Sequence, residues 1–155
     1  MPGLRVKVND HEMALNGLRE TCHTIVIDAL NFLHDFVCLH GSVASRLKKC
    51  KRQVYDFKHI FARHNVRAIW VFDNGQHTEE SNQKWVERRL NEVATETRKM
   101  IASAETYLMA ELQRAGFLVL SPPGIDGDDA VAWIARDTGG HILSRDNDMT
   151  RYGLP

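Results

Sequence analysis

The sequence predicts an α/β domain, a three-layer sandwich with a small, mainly parallel sheet between helices. Two observations lead there. From Thr24 onward, short β-branched apolar runs alternate with apolar residues at helical spacing, and that alternation argues for right-handed βαβ crossovers. The 155 residues, 43% apolar and 26% charged, suit one globular domain with a core of its own rather than a disordered chain.

Residues 1–21 are rich in Asn, Asp, His and Glu. They fit the alternation poorly and read as an N-terminal arm, with the domain proper over 22–155. Thr24-Ile-Val-Ile-Asp28 is the first strand, apolar enough to be buried on both faces. Val43, Leu47, Cys50, Val54, Phe57 and Phe61 recur at steps of four and three, which places one apolar stripe on a long helix ending near His64-Asn65. Ala68-Ile-Trp-Val-Phe72 is the second buried strand, closed by Asp73-Asn-Gly75. After a polar stretch, Val86, Leu90, Val93, Ile101, Ala104, Leu108 and Leu112 form another helical stripe that stops at Gly116. Phe117-Leu-Val-Leu120 is a third strand, ended by Ser121-Pro-Pro-Gly124. A short helix carries Ala130–Ile134, and Gly140-His-Ile-Leu-Ser144 is the fourth strand.

Several function classes drop out. No run approaches the roughly 18 apolar residues of a membrane span, and the start lacks an apolar signal region, so a soluble intracellular protein is expected. Cys22, Cys38 and Cys50 match no zinc spacing and read as reduced thiols. No histidine forms a His-x-x-x-His pair, and His34 reads as a packed residue. Phosphate loops and nucleophile elbows are missing too. Lys+Arg and Asp+Glu balance at 20 each, but unevenly along the chain. Residues 41–100 hold thirteen bases against seven acids; residues 101–155 hold eight acids against four bases. That gradient suits a polyanion track beside an acidic centre, or simply two solvated faces.

The acids carry the stronger signal. Asp28 closes the first strand and Asp73 the second; Asp126, Asp128 and Asp129 follow the third, Asp146 and Asp148 the fourth. In an open parallel sheet all these ends share one edge, where ligands bind. Any one of the acids alone reads as a cap or turn, and Asp126 and Asp128 suit capping of the next helix. Repetition at four strand ends favours a metal site, since gathered carboxylates repel unless cations hold them. Mg2+ or Mn2+ takes oxygen ligands, and two such ions about 3.5–4 Å apart can activate a water and stabilise a leaving phosphodiester oxygen.

Four blocks resemble the acidic blocks of the flap endonuclease/5′-nuclease family, within the PIN-like nuclease superfamily. They are Ile25-Val-Ile-Asp-Ala-Leu-Asn31, Trp70-Val-Phe-Asp-Asn-Gly75, Asp126-Gly-Asp-Asp-Ala130 and Ser144-Arg-Asp-Asn-Asp148. The resemblance covers residues 22–153 and implies a metal-dependent nuclease of DNA or RNA. It implies two ions, held by Asp28, Asp73, Asp126, Asp128, Asp146 and Asp148. It also implies that Lys84 and Arg88, one turn apart in Lys84-Trp-Val-Glu-Arg-Arg89, hold the scissile phosphate. Arg89, Asn31, Lys48 and Lys49 are the further nucleic-acid contacts, and Trp85 reads as core or as a base-stacking residue. The short span from Asp73 to Gly116 implies a reduced helical arch. With the sequence ending at Pro155, the duplex-binding region of the family is expected from a partner protein. Two alternatives stand beside this reading. Asp28-x-x-Asn31 also suits a PIN/NYN-type endoribonuclease, and a nuclease-like domain that binds nucleic acid or protein without cleaving is the third.

Overall fold

The computed structural model describes residues 24–37, 41–73, 83, 86, 87, 90, 91, 94 and 103–154. Four parallel strands form one sheet in the order β3-β2-β1-β4. They are β1 (Thr24–Asp28), β2 (Arg67–Val71), β3 (Leu118–Leu120) and β4 (His141–Leu143). Ile27 of β1 pairs with Trp70 on one side and Leu143 on the other, so the central strands are in register with both edges.

Helices α1 (Ala29–Phe36), α2 (Val43–Arg63) and α3 (Ala104–Arg114) connect β1 to β2 and lead into β3; α4 (Gly127–Thr138) connects β3 to β4. The path steps from β1 to β2 to β3, then returns past β1 to place β4 on its far side. Right-handed crossovers require such a reversal to move its helix to the opposite face. The two cores match. One face of the strands, with Ile25, Ile27, Ala68 and Trp70, packs against α1, α2 and α3. The other, with Val26, Ile69 and Val71, packs against Ala130, Val131, Ile134 and Ala135 of α4. Alternate residues of each strand thus enter opposite cores, so β1 has no solvent face and reads as continuous apolar sequence.

Trp70 is fully buried, edge-on to Phe36 at 5.4 Å and to Phe117 at 6.0 Å between ring centroids. Such a ring contributes on the order of 2–3 kcal/mol by burial alone. Gly139, at φ 61, ends α4, and its N–H bonds back to Arg136 O, which lets the chain turn straight into β4.

Most of the expected elements are present, with one correction. The stripe expected from Val86 to Leu112 is not one core-facing face. Val86 and Leu90 sit at helical positions but are 47% and 64% exposed. Ala104, Leu108 and Leu112 of α3 are buried, and Ser103, the residue before that helix, has φ 67; Val93 and Ile101 lie outside the described residues. A helical period identifies a face without saying whether the rest of the domain reaches it. The 1–21 arm, Cys22, Cys38, Lys84, Trp85, Arg88, Arg89 and the side chain of His34 lie outside the described residues. No helix among the described residues is long and apolar enough to cross a membrane. Cys50 is a free, buried thiol, pushed up to about 12 chiefly by burial, with Glu111 adding to the rise.

Candidate metal centre at the sheet edge

The direction of the chain reverses between β1 and β4, so their C-terminal ends border the crevice where open α/β sheets bind ligands. Asp28 is the last residue of β1 and the N-cap of α1. The residue is 9% exposed. Oδ1 accepts from the backbone N–H of Asn31 at 3.4 Å, and Oδ2 accepts from the Asn31 side-chain amide and from Ser144 Oγ, the latter at 3.2 Å. Burial raises its pKa, while these hydrogen bonds pull the other way.

Ser144 follows β4 and joins the first block to the fourth. It donates to Asp28 and accepts from the N–H of Asp146 at 3.1 Å. Asp146 in turn caps the 3-10 turn Asn147–Tyr152, with Oδ1 accepting from the Asp148 N–H at 2.9 Å. Asp126 caps α4 in the same way, accepting from the Asp128 N–H at 3.1 Å. Three of the acids therefore sit at helix starts, where the partial positive charge of the first turn eases the gathering of negative charge.

The loop after β3 carries the third block back over the second. A methyl group at Gly127 would lie 3.3 Å from Asp73 Cβ, close enough that Asp73 would have to give by a few tenths of an ångström, so glycine eases the approach of α4 to the end of β2. One residue further on, Asp128 is crowded. Its pKa is pushed up to about 6, first by desolvation and then by the charges of Asp28, Asp126 and Asp146, with Arg151 opposing. Arg151 Nη2 stands 3.8 Å from Asp128 Oδ2 and 3.9 Å from Asp129 Oδ1. Asp129 accepts from the Tyr152 hydroxyl.

The structure thus brings Asp28, Asp126 and Asp146 within electrostatic reach of Asp128, and sets Asp73 beside the start of α4. Asp148 is exposed and is not among the charges that raise Asp128. Among the described residues, no three Asp, Glu, His or Cys side chains are grouped so as to hold one ion. The caps explain part of this, because Asp28, Asp126 and Asp146 each give at least one oxygen to a nearby N–H. Hard-ion chemistry nonetheless fits: every donor is a carboxylate oxygen, and Mg2+ retains several waters and needs few protein ligands.

No family model and no curated protein matches the sequence. The structure is similar to that of human GEN1, solved in complex with Holliday junction DNA, with a TM-score of 0.56 over 96% of this chain. The fold is PIN-like. At 14% identity the likeness establishes the fold alone, and this chain spans 39% of the length of that neighbour.

Three residues of the PIN-like edge have roles that motif spacing did not indicate. Ser144 and Gly127 were visible as part of their blocks, but their contacts join residues far apart in sequence. Arg145 is the third. Its Nη2 lies 2.5 Å from Asp35 Oδ2, and its guanidinium stands 5.2 Å from the Phe32 ring centroid, tying the fourth block to α1. The pattern Asp35…Arg145 carries no sequence signal. Lys48 and Lys49 are exposed on the N-terminal half of α2.

Crowding at Asp128 sets a pH dependence. A folded-state pKa of about 6, above the ordinary 3.8, gives stability that is complete below the lower value and is lost as pH rises through the higher. Burial of Asp28 acts with the same sign. Without divalent ions, Tm should fall across that window by an amount equivalent to roughly 1 kcal/mol, after discounting for solvent at the half-exposed Asp128. Asp128→Asn should flatten the fall. Millimolar Mg2+ or Mn2+ should raise Tm near neutrality and have little effect once the carboxylates are protonated. Thermal melts at several pH values, with and without metal, check this; a Tm indifferent to both ions throughout would count against the centre.

Proposed function

We propose that this PIN-like domain is a divalent-metal-dependent nuclease hydrolysing phosphodiester bonds in DNA or RNA, with a core like that of the 5′-nucleases. The observation that supports it most is the convergence of carboxylates from separate strand ends on Asp128. Asp28, Asp73, Asp126, Asp128, Asp146 and Asp148 would hold Mg2+ or Mn2+ as two ions. Bound there, the ions supply charge neutralisation at the phosphate and a water of lowered pKa.

The chain's own groups do the rest. Asn31 and Ser144 fix the Asp28 carboxylate, and Gly127 keeps the third block against the second. Lys84 and Arg88 hold the phosphate under attack, while Arg89, Lys48 and Lys49 hold its flanks. The Holliday junction DNA in the neighbouring structure favours DNA as substrate.

A second reading, a domain that binds nucleic acid without cutting it, is favoured by one observation: no three described carboxylates are grouped around a common point. Incubation of the purified chain with labelled single-stranded, duplex and flap DNA, and their RNA counterparts, separates the two. The nuclease reading expects cleavage with Mn2+ or Mg2+ that excess chelator abolishes. Binding without cleavage of any substrate would favour the second.

A further inference from the structure

We propose that the outer face of α2 is a docking surface for the phosphate backbone of duplex DNA, an arm of the substrate lying beyond the bond that is cut. This rests on the nuclease reading above. The chain as a whole is neutral, yet the 21 residues of α2 hold seven Lys and Arg against a single acid, Asp56. Cys50, Val54 and Phe61 face the core. Lys48, Lys49, Lys51, Arg52 and Lys58 are exposed. An apolar stripe toward the sheet thus leaves these cations on the solvent side, spread over about half of the helix circumference.

Geometry gives the face its direction. Only three residues separate the end of α2 from the start of β2, so it runs antiparallel to the strands, and its N-terminal half points toward the acid edge. The helix is about 31 Å long. A duplex offers roughly nine base pairs and 18 phosphates over that length.

The side chains favour a duplex over a single strand. Sequence-tolerant binding of single strands relies on aromatic platforms on which bases stack. α2 exposes no Phe, Tyr or Trp. Tyr55 is half-buried, with Lys58 Nζ 5.9 Å from its ring centroid. A straight basic face without stacking groups contacts backbone and leaves bases alone.

The test is equilibrium binding of the whole chain, without divalent ions, to a DNA duplex of about 20 base pairs and to one of its single strands, across a salt series. The triple variant Lys51→Ala/Arg52→Ala/Lys58→Ala should lose at least about tenfold in duplex affinity at low salt and flatten the salt slope by roughly 2–3. Single-strand affinity should stay within about twofold. Asp56→Lys should tighten duplex binding, a gain that misfolding cannot produce. Equal losses for both probes, no loss, tighter binding to an RNA duplex through the same residues, or no gain from Asp56→Lys would each overturn the proposal. Duplex binding that depends on α2 in a chain that cuts nothing would overturn the nuclease reading and leave this one standing.

Discussion

Asp28→Asn is expected to lower the single-turnover cleavage rate at least about a thousandfold, equivalent to roughly 4 kcal/mol of transition-state stabilisation, while leaving affinity for nucleic acid within a few-fold. The two effects separate because the substitution removes a charge and keeps a shape. Asn is as good an N-cap as Asp, so the start of α1 and its bond from the Asn31 N–H are retained. The buried carboxylate is already disfavoured by desolvation, so Tm should hold or rise when the charge is removed. What disappears is one anionic oxygen donor at the centre of the crevice. Asp146→Asn should behave alike, because its capping of the following turn also survives an amide. Single-turnover rates at saturating enzyme, binding titrations and melts on the same preparations provide the check. Cleavage that survives both substitutions and excess chelator would belong to a contaminant.

The second large effect is expected at Lys84. A cation at the scissile phosphate gains interaction energy as negative charge builds in the transition state, so its loss acts on the chemical step. A cation that only attracts the polymer acts on affinity and its salt slope. Lys84→Ala should therefore cut the single-turnover rate roughly ten- to a thousandfold, equivalent to about 1.4–4 kcal/mol. Lys48→Ala and Lys49→Ala should weaken binding in a salt-dependent way and leave the saturated rate nearly unchanged. Equal, small losses for all three would make the segment from Lys84 to Arg89 a solvated face.

Local pattern reached far into this fold because the forces that set it are short-ranged. β1 and most of β2 are buried on both sides of the sheet, which leaves a continuous apolar run that no surface strand would carry. The stripe from Val43 to Phe61 and the turn at His64-Asn65 define α2 almost to the residue, although Val43 itself is exposed rather than core-facing. The stripe through Val86 and Leu90 misled, since exposure depends on which neighbours arrive, and a helical period contains no neighbours. The acid blocks were legible as strand-end carboxylates. Their grouping was not equal: Asp128 is crowded, Asp129 is held by the Tyr152 hydroxyl, and Asp148 stands in solvent.

The sequence alone determined the alternation of strands and helices, the carboxylate at each strand end, and the concentration of basic residues in α2. These are properties of consecutive residues, governed by side-chain period and capping chemistry. Tertiary structure alone decided the rest. The order β3-β2-β1-β4 sets Asp28 beside the end of β4, where Ser144 bonds to it from 116 residues away. The close approach of Gly127 to Asp73 and the tie from Arg145 to Asp35 likewise depend on which elements pack together. Such contacts follow from burying both faces of one sheet at once, a condition on the whole chain that no local stretch encodes.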